Sequence, residues 1–157
     1  MLRRFVVTLL LAAFAGCAKP DLPAVVVQSS SPGALRIFRS ELGERFSSGQ
    51  LQAFDTALQE LTLDAMNRDV APAAAREADM GAVANGKTVR QVEILGWQAR
   101  QARFEREITV MSGLLEHTLK AKGTQADVRS NQDVLIKLRS QLAETEQRLA
   151  AWAAAKD

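Results

Sequence analysis

The sequence predicts an all-α protein: a small helical bundle carrying a long antiparallel, coiled-coil-like helical hairpin at its C-terminal end. Three observations predict it. Apolar residues recur at spacings of three and four from Leu35 to Trp152, which is the period of one helix face. From Ile94 onward the recurrence tightens into two strict 3-4-3-4 seams separated by Lys122-Gly123-Thr124, the pattern of helices that pack on each other along a narrow seam. Strand and helix patterns nowhere alternate, and Val25-Val26-Val27 is the one strand-like run.

Residues 1–16 read as a secretory signal. Arg3 and Arg4 supply a positive start, and Phe5 to Ala15 is an apolar run followed by small residues. The run is shorter than the roughly 20 residues a spanning helix needs. Ala15-Gly16-Cys17 resembles the end of the bacterial lipobox, with Phe14 standing where that family usually has Leu. The resemblance implies cleavage before Cys17 and lipid modification of its sulfur. Cys17 is the chain's one cysteine. It therefore has no intrachain disulfide partner in an oxidising compartment, and left free and exposed it would be a reactive thiol. The residue after it is Ala18, not the Asp that favours inner-membrane retention. By resemblance this directs the protein to the inner leaflet of the outer membrane, facing the periplasm.

Cleavage changes the charge. The full chain has 20 Lys and Arg against 18 Asp and Glu. Arg3 and Arg4 leave with the signal, so the mature chain carries 18 of each and a formal charge of zero. Nucleic-acid binding, which needs a cationic face, is not expected. Six Phe, two Trp and no Tyr also make a large aromatic-lined substrate pocket hard to build.

Residues 17–33 read as the lipidated cysteine and a flexible linker, because AKPDLPAVVVQSSSPG holds three prolines and a serine run. As a random coil its sixteen residues would set the domain some 20 Å from the lipid. The helical domain is then residues 34–157. Its N-terminal helices occupy 34–84. Ser31-Pro32 gives the first a cap and a first-turn proline, and Leu35, Phe38 and Leu42 share a face. Ser47 and Gln50 have capping-box spacing ahead of the stripe Leu51, Phe54, Leu58, Leu61. Ala73 to Ala84 is an alanine-rich short helix.

The hairpin occupies 88–155 and turns near Gly123. One seam runs Ile94, Trp97, Gln101, Phe104, Ile108, Met111, Leu115, Thr118. The other runs Val128, Asn131, Leu135, Leu138, Leu142, Thr145, Leu149, Trp152. Folded back at Gly123, residues whose numbers add to 246 face each other. Ile94 then meets Trp152, Trp97 meets Leu149, and the polar pair Gln101 and Thr145 falls in one layer. Each seam is roughly 37 Å long at 1.5 Å per residue. Val89, Val92, Gly96 and Ala99 add a second apolar face at the start of the first arm. The base of the hairpin, with both tryptophans, should therefore be embedded against the N-terminal helices, giving a four-helix body. The tip, His117 to Asp127, should protrude.

Gly81 to Thr88, GAVANGKT, fits the nucleotide-cradling pattern G-x-x-x-x-G-K-[ST]. Its context does not. A phosphate loop follows a buried strand, whereas PAAAREADM is helix-like, and an exported chain reaches no ATP supply. The local reading is structural: Asn85-Gly86 ends one helix, and Gly86, Lys87 and Thr88 lead into the cap of the next, with Gln91 completing T-x-x-Q. No cofactor or nucleotide is expected. His117 is the one histidine and sits beside the seam on the solvent side. With no HxxxH spacing, no metal site is expected. The acids fall into i,i+4 pairs such as Glu41–Arg45, Asp64–Arg68, Glu116–Lys120 and Glu144–Arg148. These support helices by about 0.2–0.5 kcal/mol each and form no catalytic dyad. No catalytic residue is expected.

The leader, the polar linker, FSSGQLQAFDTALQEL and then NGKTVRQVEILGWQ opening a long helix together resemble small lipoproteins of unknown function from Gram-negative bacteria. In those proteins a G-K-T triplet begins the last helices. The resemblance spans Leu35 to Gly96 and brings no functional residue with it. The expected role is a non-enzymatic, lipid-anchored envelope protein whose hairpin docks an envelope partner. The alternative is a carrier of a small ligand or lipid in a groove between the N-terminal helices and the hairpin base. Covalent attachment to peptidoglycan through a C-terminal Lys is disfavoured, because Lys156 is followed by Asp157.

Overall fold

The computed structural model describes residues 21–154. The signal segment and Cys17 fall outside the described residues. The protein is all-α: α1 (Pro32–Arg45), α2 (Ser48–Asn67), α3 (Ala73–Ala84), α4 (Val89–Lys120) and α5 (Gln125–Ala154) follow a single 3-10 turn at Leu22–Ala24. α4 and α5 pack against each other as a helical hairpin, and α2 packs along α4.

Side chains close the starts of four helices. The Ser31 hydroxyl accepts from the Ala34 N–H at 3.1 Å, with Pro32 entering α1 where its missing N–H costs nothing. Ser47 and Gln50, and likewise Thr88 and Gln91, form reciprocal capping boxes at α2 and α4. At α5 the Thr124 hydroxyl accepts from the Asp127 N–H at 3.2 Å, while the Asp127 carboxylate accepts from the Thr124 hydroxyl at 2.7 Å.

One core joins α1, α2, α3 and the start of α4. Phe38 and Phe54 meet edge to face with ring centroids 6.4 Å apart. Leu42, Leu51, Ala57 and Met80 complete the layer, and Val89 and Val92 bring in α4. α2 and α4 run parallel. Ala57 lies beside Gly96, Glu60 pairs with Arg103 and Asp64 approaches Arg106, so both chains advance in the same direction. α3 is the return connection that makes this possible. At Gly96 the backbones nearly touch: a Cβ built there would lie 2.4 Å from the Ala57 Cα and 2.7 Å from its carbonyl oxygen.

From Leu22 onward, the segment read as a flexible linker is instead part of this core. Leu22, Val27 and Ser29 are buried. The Val27 N–H donates to the Lys87 carbonyl at 2.8 Å, the Val27 carbonyl accepts from the Gly86 N–H at 2.9 Å, and the Val25 carbonyl accepts from the Val89 N–H at 2.8 Å. Ser29 adds two bonds: its hydroxyl donates to the Gly81 carbonyl at 2.7 Å and its N–H to the Asn85 side chain at 2.9 Å. The physical reason is a period of two. Val27 and Ser29 turn inward, and Val26, Gln28 and Ser30 turn outward. The partner is the short turn before α4, which carries no strand pattern of its own.

The hairpin register also differs from the mirror pairing. Trp97 meets Trp152 edge to face with centroids 6.1 Å apart. Near the tip the Asn131 amide donates to the Thr118 hydroxyl at 3.2 Å. The residue numbers of both pairs add to 249, three beyond the expected sum. Each seam residue sits in a hole made by four residues of the facing helix, so a shift of one seam step leaves every apolar residue inside, and the pattern alone does not choose. The turn chooses. The Gly123 N–H donates to the Thr118 carbonyl at 2.9 Å and the Lys122 N–H to the Leu119 carbonyl at 3.2 Å, which is a Schellman stop for α4. Lys122, not Gly123, takes the left-handed conformation, with φ 52°. Gly123 is required by space: a Cβ there would fall 2.7 Å from the Thr118 methyl.

The expected Gln101–Thr145 layer does not form as a pair. Thr145 is buried and donates to its own Gln141 carbonyl at 2.7 Å, while Gln101 donates to Glu105 at 3.2 Å. Nor are the tryptophans embedded against the N-terminal helices. They lie between the two arms, apart from the core that α1, α2 and α3 share with Val89 and Val92.

Two substitutions test this packing. Gly96→Ala forces α2 and α4 apart and should cost about 2–3 kcal/mol, the upper part of the range for overpacking, read as a lowered urea midpoint. Val27→Ala should cost about 2 kcal/mol from two lost methyls and the space they leave, whereas a solvated linker residue would leave the midpoint unmoved.

Candidate functional site

The GAVANGKT stretch is divided between three local structures. Gly81 and Ala84 are buried in α3, Gly86 turns the chain at φ 75°, and Thr88 caps α4. A phosphate loop works by aiming free peptide N–H groups at the anion. Here those groups are taken. The Asn85 N–H goes to the Gly81 carbonyl, Gly86 to Val27, Lys87 to Ala84 and Val89 to Val25, all within 3.2 Å. The Thr88 N–H is held by the Gln91 side chain at 2.9 Å. The turn holds the chain's own N-terminal segment in the place where a phosphate would lie.

His117 is exposed near the end of α4. Among the described residues no three His, Cys, Asp or Glu side chains gather as a metal would require. Two of the four expected i,i+4 pairs close, Asp64–Arg68 at 3.1 Å and Glu116–Lys120 at 2.5 Å. Arg148 does not close on Glu144; its guanidinium carbon lies 4.3 Å from the Trp97 ring centroid.

Two buried carboxylates were not legible as a site in the sequence. Glu60, on α2, receives both Arg103 nitrogens, Nε at 3.0 Å and Nη2 at 2.8 Å. Arg103 also donates to Glu107 at 2.9 Å, and Arg100 lies 3.8 Å from Glu60. The Glu60 hydrogen bonds raise the Arg103 pKa against the opposing cost of burial, and the two-pronged contact fixes α2 along α4. Glu93 lies on α4 among Val92, Gly96 and Trp97 and is 7% exposed. Burial pushes its carboxyl pKa up, and the charges of Arg90 and Arg148 pull against that shift. The signal for both was an acid inside an apolar stripe, next to Leu61 in one case and Val92 in the other.

Around Glu93 the tryptophans and arginines form a belt. Arg100 and Arg148 lie over Trp97 at 4.8 and 4.3 Å, and Arg90 lies over Trp152 at 5.5 Å, within the range of cation–π attraction. The Arg90 Nε, Arg100 Nε and Trp97 Nε1 are buried without an acceptor among the described residues. Stacking therefore supplies the main favourable contact of these groups.

Beyond the end of α2 the hairpin is bare on one side. Asn67, Arg103, Arg106 and Glu107 mark the end nearer the hairpin base of an open groove of about 420 Å³, and Val110, Met111, Val134 and Leu138 line the rest. Val110, Leu114, Leu119, Val134 and Ile136 are all exposed on this free part of the arm. Comparison with protein-family models, curated proteins and solved structures gives no match to this chain.

The Glu93 shift sets a pH dependence. A carboxyl whose folded pKa lies above its unfolded value binds more protons in the folded state between the two values, so stability falls as pH rises through that window. Urea midpoints measured upward from the ordinary glutamate range should therefore decline in the native chain. Glu93→Gln, which carries no titrating proton, should remove that part of the decline.

Proposed function

We propose that this chain is a lipid-anchored envelope protein, with a signal at 1–16 and an acylated Cys17, whose helical hairpin docks an envelope partner and catalyses nothing. The inner leaflet of the outer membrane is its proposed site, and the small Gram-negative lipoproteins of unknown function are the group it resembles. The single observation that carries the docking reading is the free arm. Five large apolar side chains stand exposed along it, past the point where α2 stops covering α4. Of these, Val110 and Val134 share the open groove with Met111 and Leu138, and contiguous exposed apolar patches mark interaction surfaces, whereas scattered residues do not. Among the described residues, no helix is long and apolar enough to cross a membrane.

A carrier needs an apolar cavity, and the position foreseen for it was the hairpin base. That base is filled: the backbones of α2 and α4 meet at Ala57 and Gly96, and Phe54, Val89 and Val92 are fully buried around them. The solid base supports docking over carriage.

Cells fed tritiated palmitate should label the chain, and Cys17→Ala should abolish the label; an unlabelled native chain overturns the anchor. A photoreactive amino acid placed at Lys120, Lys122 or Val110 in growing cells should give one reproducible protein adduct. Val110→Asp with Ile136→Asp should reduce the Lys120 adduct several-fold while leaving the melting temperature within a few degrees, as surface changes do. No adduct from any of the three positions overturns the docking role.

A further inference from the structure

We propose that the end of the bundle formed by Val26, Lys87 and the first two turns of α4 rests on the surface of a phospholipid bilayer, so that the domain is held against the membrane instead of swinging on a tether. This rests on the acylated Cys17 reading above, and the experiment below separates the two.

The argument starts from chain length. Read as a linker, residues 17–33 would have let the domain wander. The backbone hydrogen bonds of Val25 and Val27 with Gly86, Lys87 and Val89 remove that freedom, because they make the segment from Leu22 part of the core. What remains between Cys17 and Asp21 is four residue steps, at most about 14 Å of fully extended chain. An acyl group on Cys17 puts that sulfur at the level of the lipid headgroups. Asp21, which caps the 3-10 turn Leu22–Ala24 packed on α4, must then lie within that distance of them, and the clasp at Val25 to Val27 follows directly behind it.

Geometry says which end it is. Val26 bridges Thr88, the residue that caps α4. The tether therefore joins the domain at the N-terminal end of α4, and the hairpin tip is at the other end of a 32-residue helix, about 48 Å away. Chemistry agrees with contact at this end. Val26 is turned outward by the alternation that buries Val27, and 51% of its surface is exposed. Beside it a shallow hollow of about 290 Å³ is lined by Lys87, Gln91, Ile94 and Leu95. Apolar side chains with a lysine suit an interface: the lysine stem lies along apolar surface while its ammonium stays with the headgroup phosphates.

The test uses the full acylated chain in vesicles of phosphatidylethanolamine and phosphatidylglycerol that include bromine-bearing acyl chains as quenchers. Acylation consumes the Cys17 thiol, and the chain has no other cysteine. A cysteine introduced by Lys87→Cys, or separately by Gln125→Cys at the tip, is then the one site for a fluorescent label. Quenching should be several-fold greater at position 87 than at position 125. Gln91→Cys gives the same reading one turn along α4 if Lys87→Cys folds poorly, as judged by helical circular dichroism. Equal or absent quenching at 87 and 125, in a chain that still floats with the vesicles, overturns the membrane-resting face and leaves the anchor intact. A chain that does not float with them overturns the anchor and this proposal with it.

Discussion

The contact between Gly96 and Ala57 is the constraint on which the rest depends. With no side chain at Gly96, α2 and α4 approach until backbone meets backbone. That closeness brings Glu60 within reach of the Arg103 fork and lets Val89 and Val92 close the core begun by α1 and α2. A buried carboxylate is tolerable only when its partner's geometry is good, and here the glycine makes the geometry. Because α2 occupies one face of α4, α5 is left the other, and the hairpin seam forms there. Where α2 ends, the covered face becomes the exposed groove.

Two modes of packing are thus joined on one helix. The first half of α4 is a core helix, buried by α2 and clasped by the N-terminal segment. The second half is a coiled-coil arm whose support is α5. The belt of Trp97, Trp152 and the three arginines lies between the arms at the lower half. Arginine suits that position because its flat, weakly hydrated guanidinium can cover an indole where a lysine ammonium would demand water.

What was legible in the sequence followed from local patterns. The helices, the capping boxes at Ser47 and Thr88 and the two arms were written in periodicity and cap chemistry, which act within a few residues. The misreadings concern partners distant in the chain and one turn conformation. Val25 to Val27 looked unpartnered because its mate is a turn sixty residues on, recognisable by no strand pattern. The hairpin register slipped because a seam repeats, and the choice rested on Lys122 adopting a conformation usually left to glycine. Glu60 and Glu93 were not singled out because their burial depends on which helix covers them. The P-loop likeness shows the reverse: a local match whose meaning is cancelled by the extended segment laid across it.

That extended segment also decides how the molecule bears load. Tension applied at Asp21 does not pass first through α1, α2 and α3 in chain order. It meets the backbone hydrogen bonds linking Val25 and Val27 to Gly86, Lys87 and Val89, and through them reaches the root of α4 directly. The short ladder acts as a mechanical fuse: while it holds, force runs straight into the longest helix, and once it parts, the chain from Leu22 to Gln28 runs out as slack until the Ser29 bonds to Gly81 and Asn85 take the load.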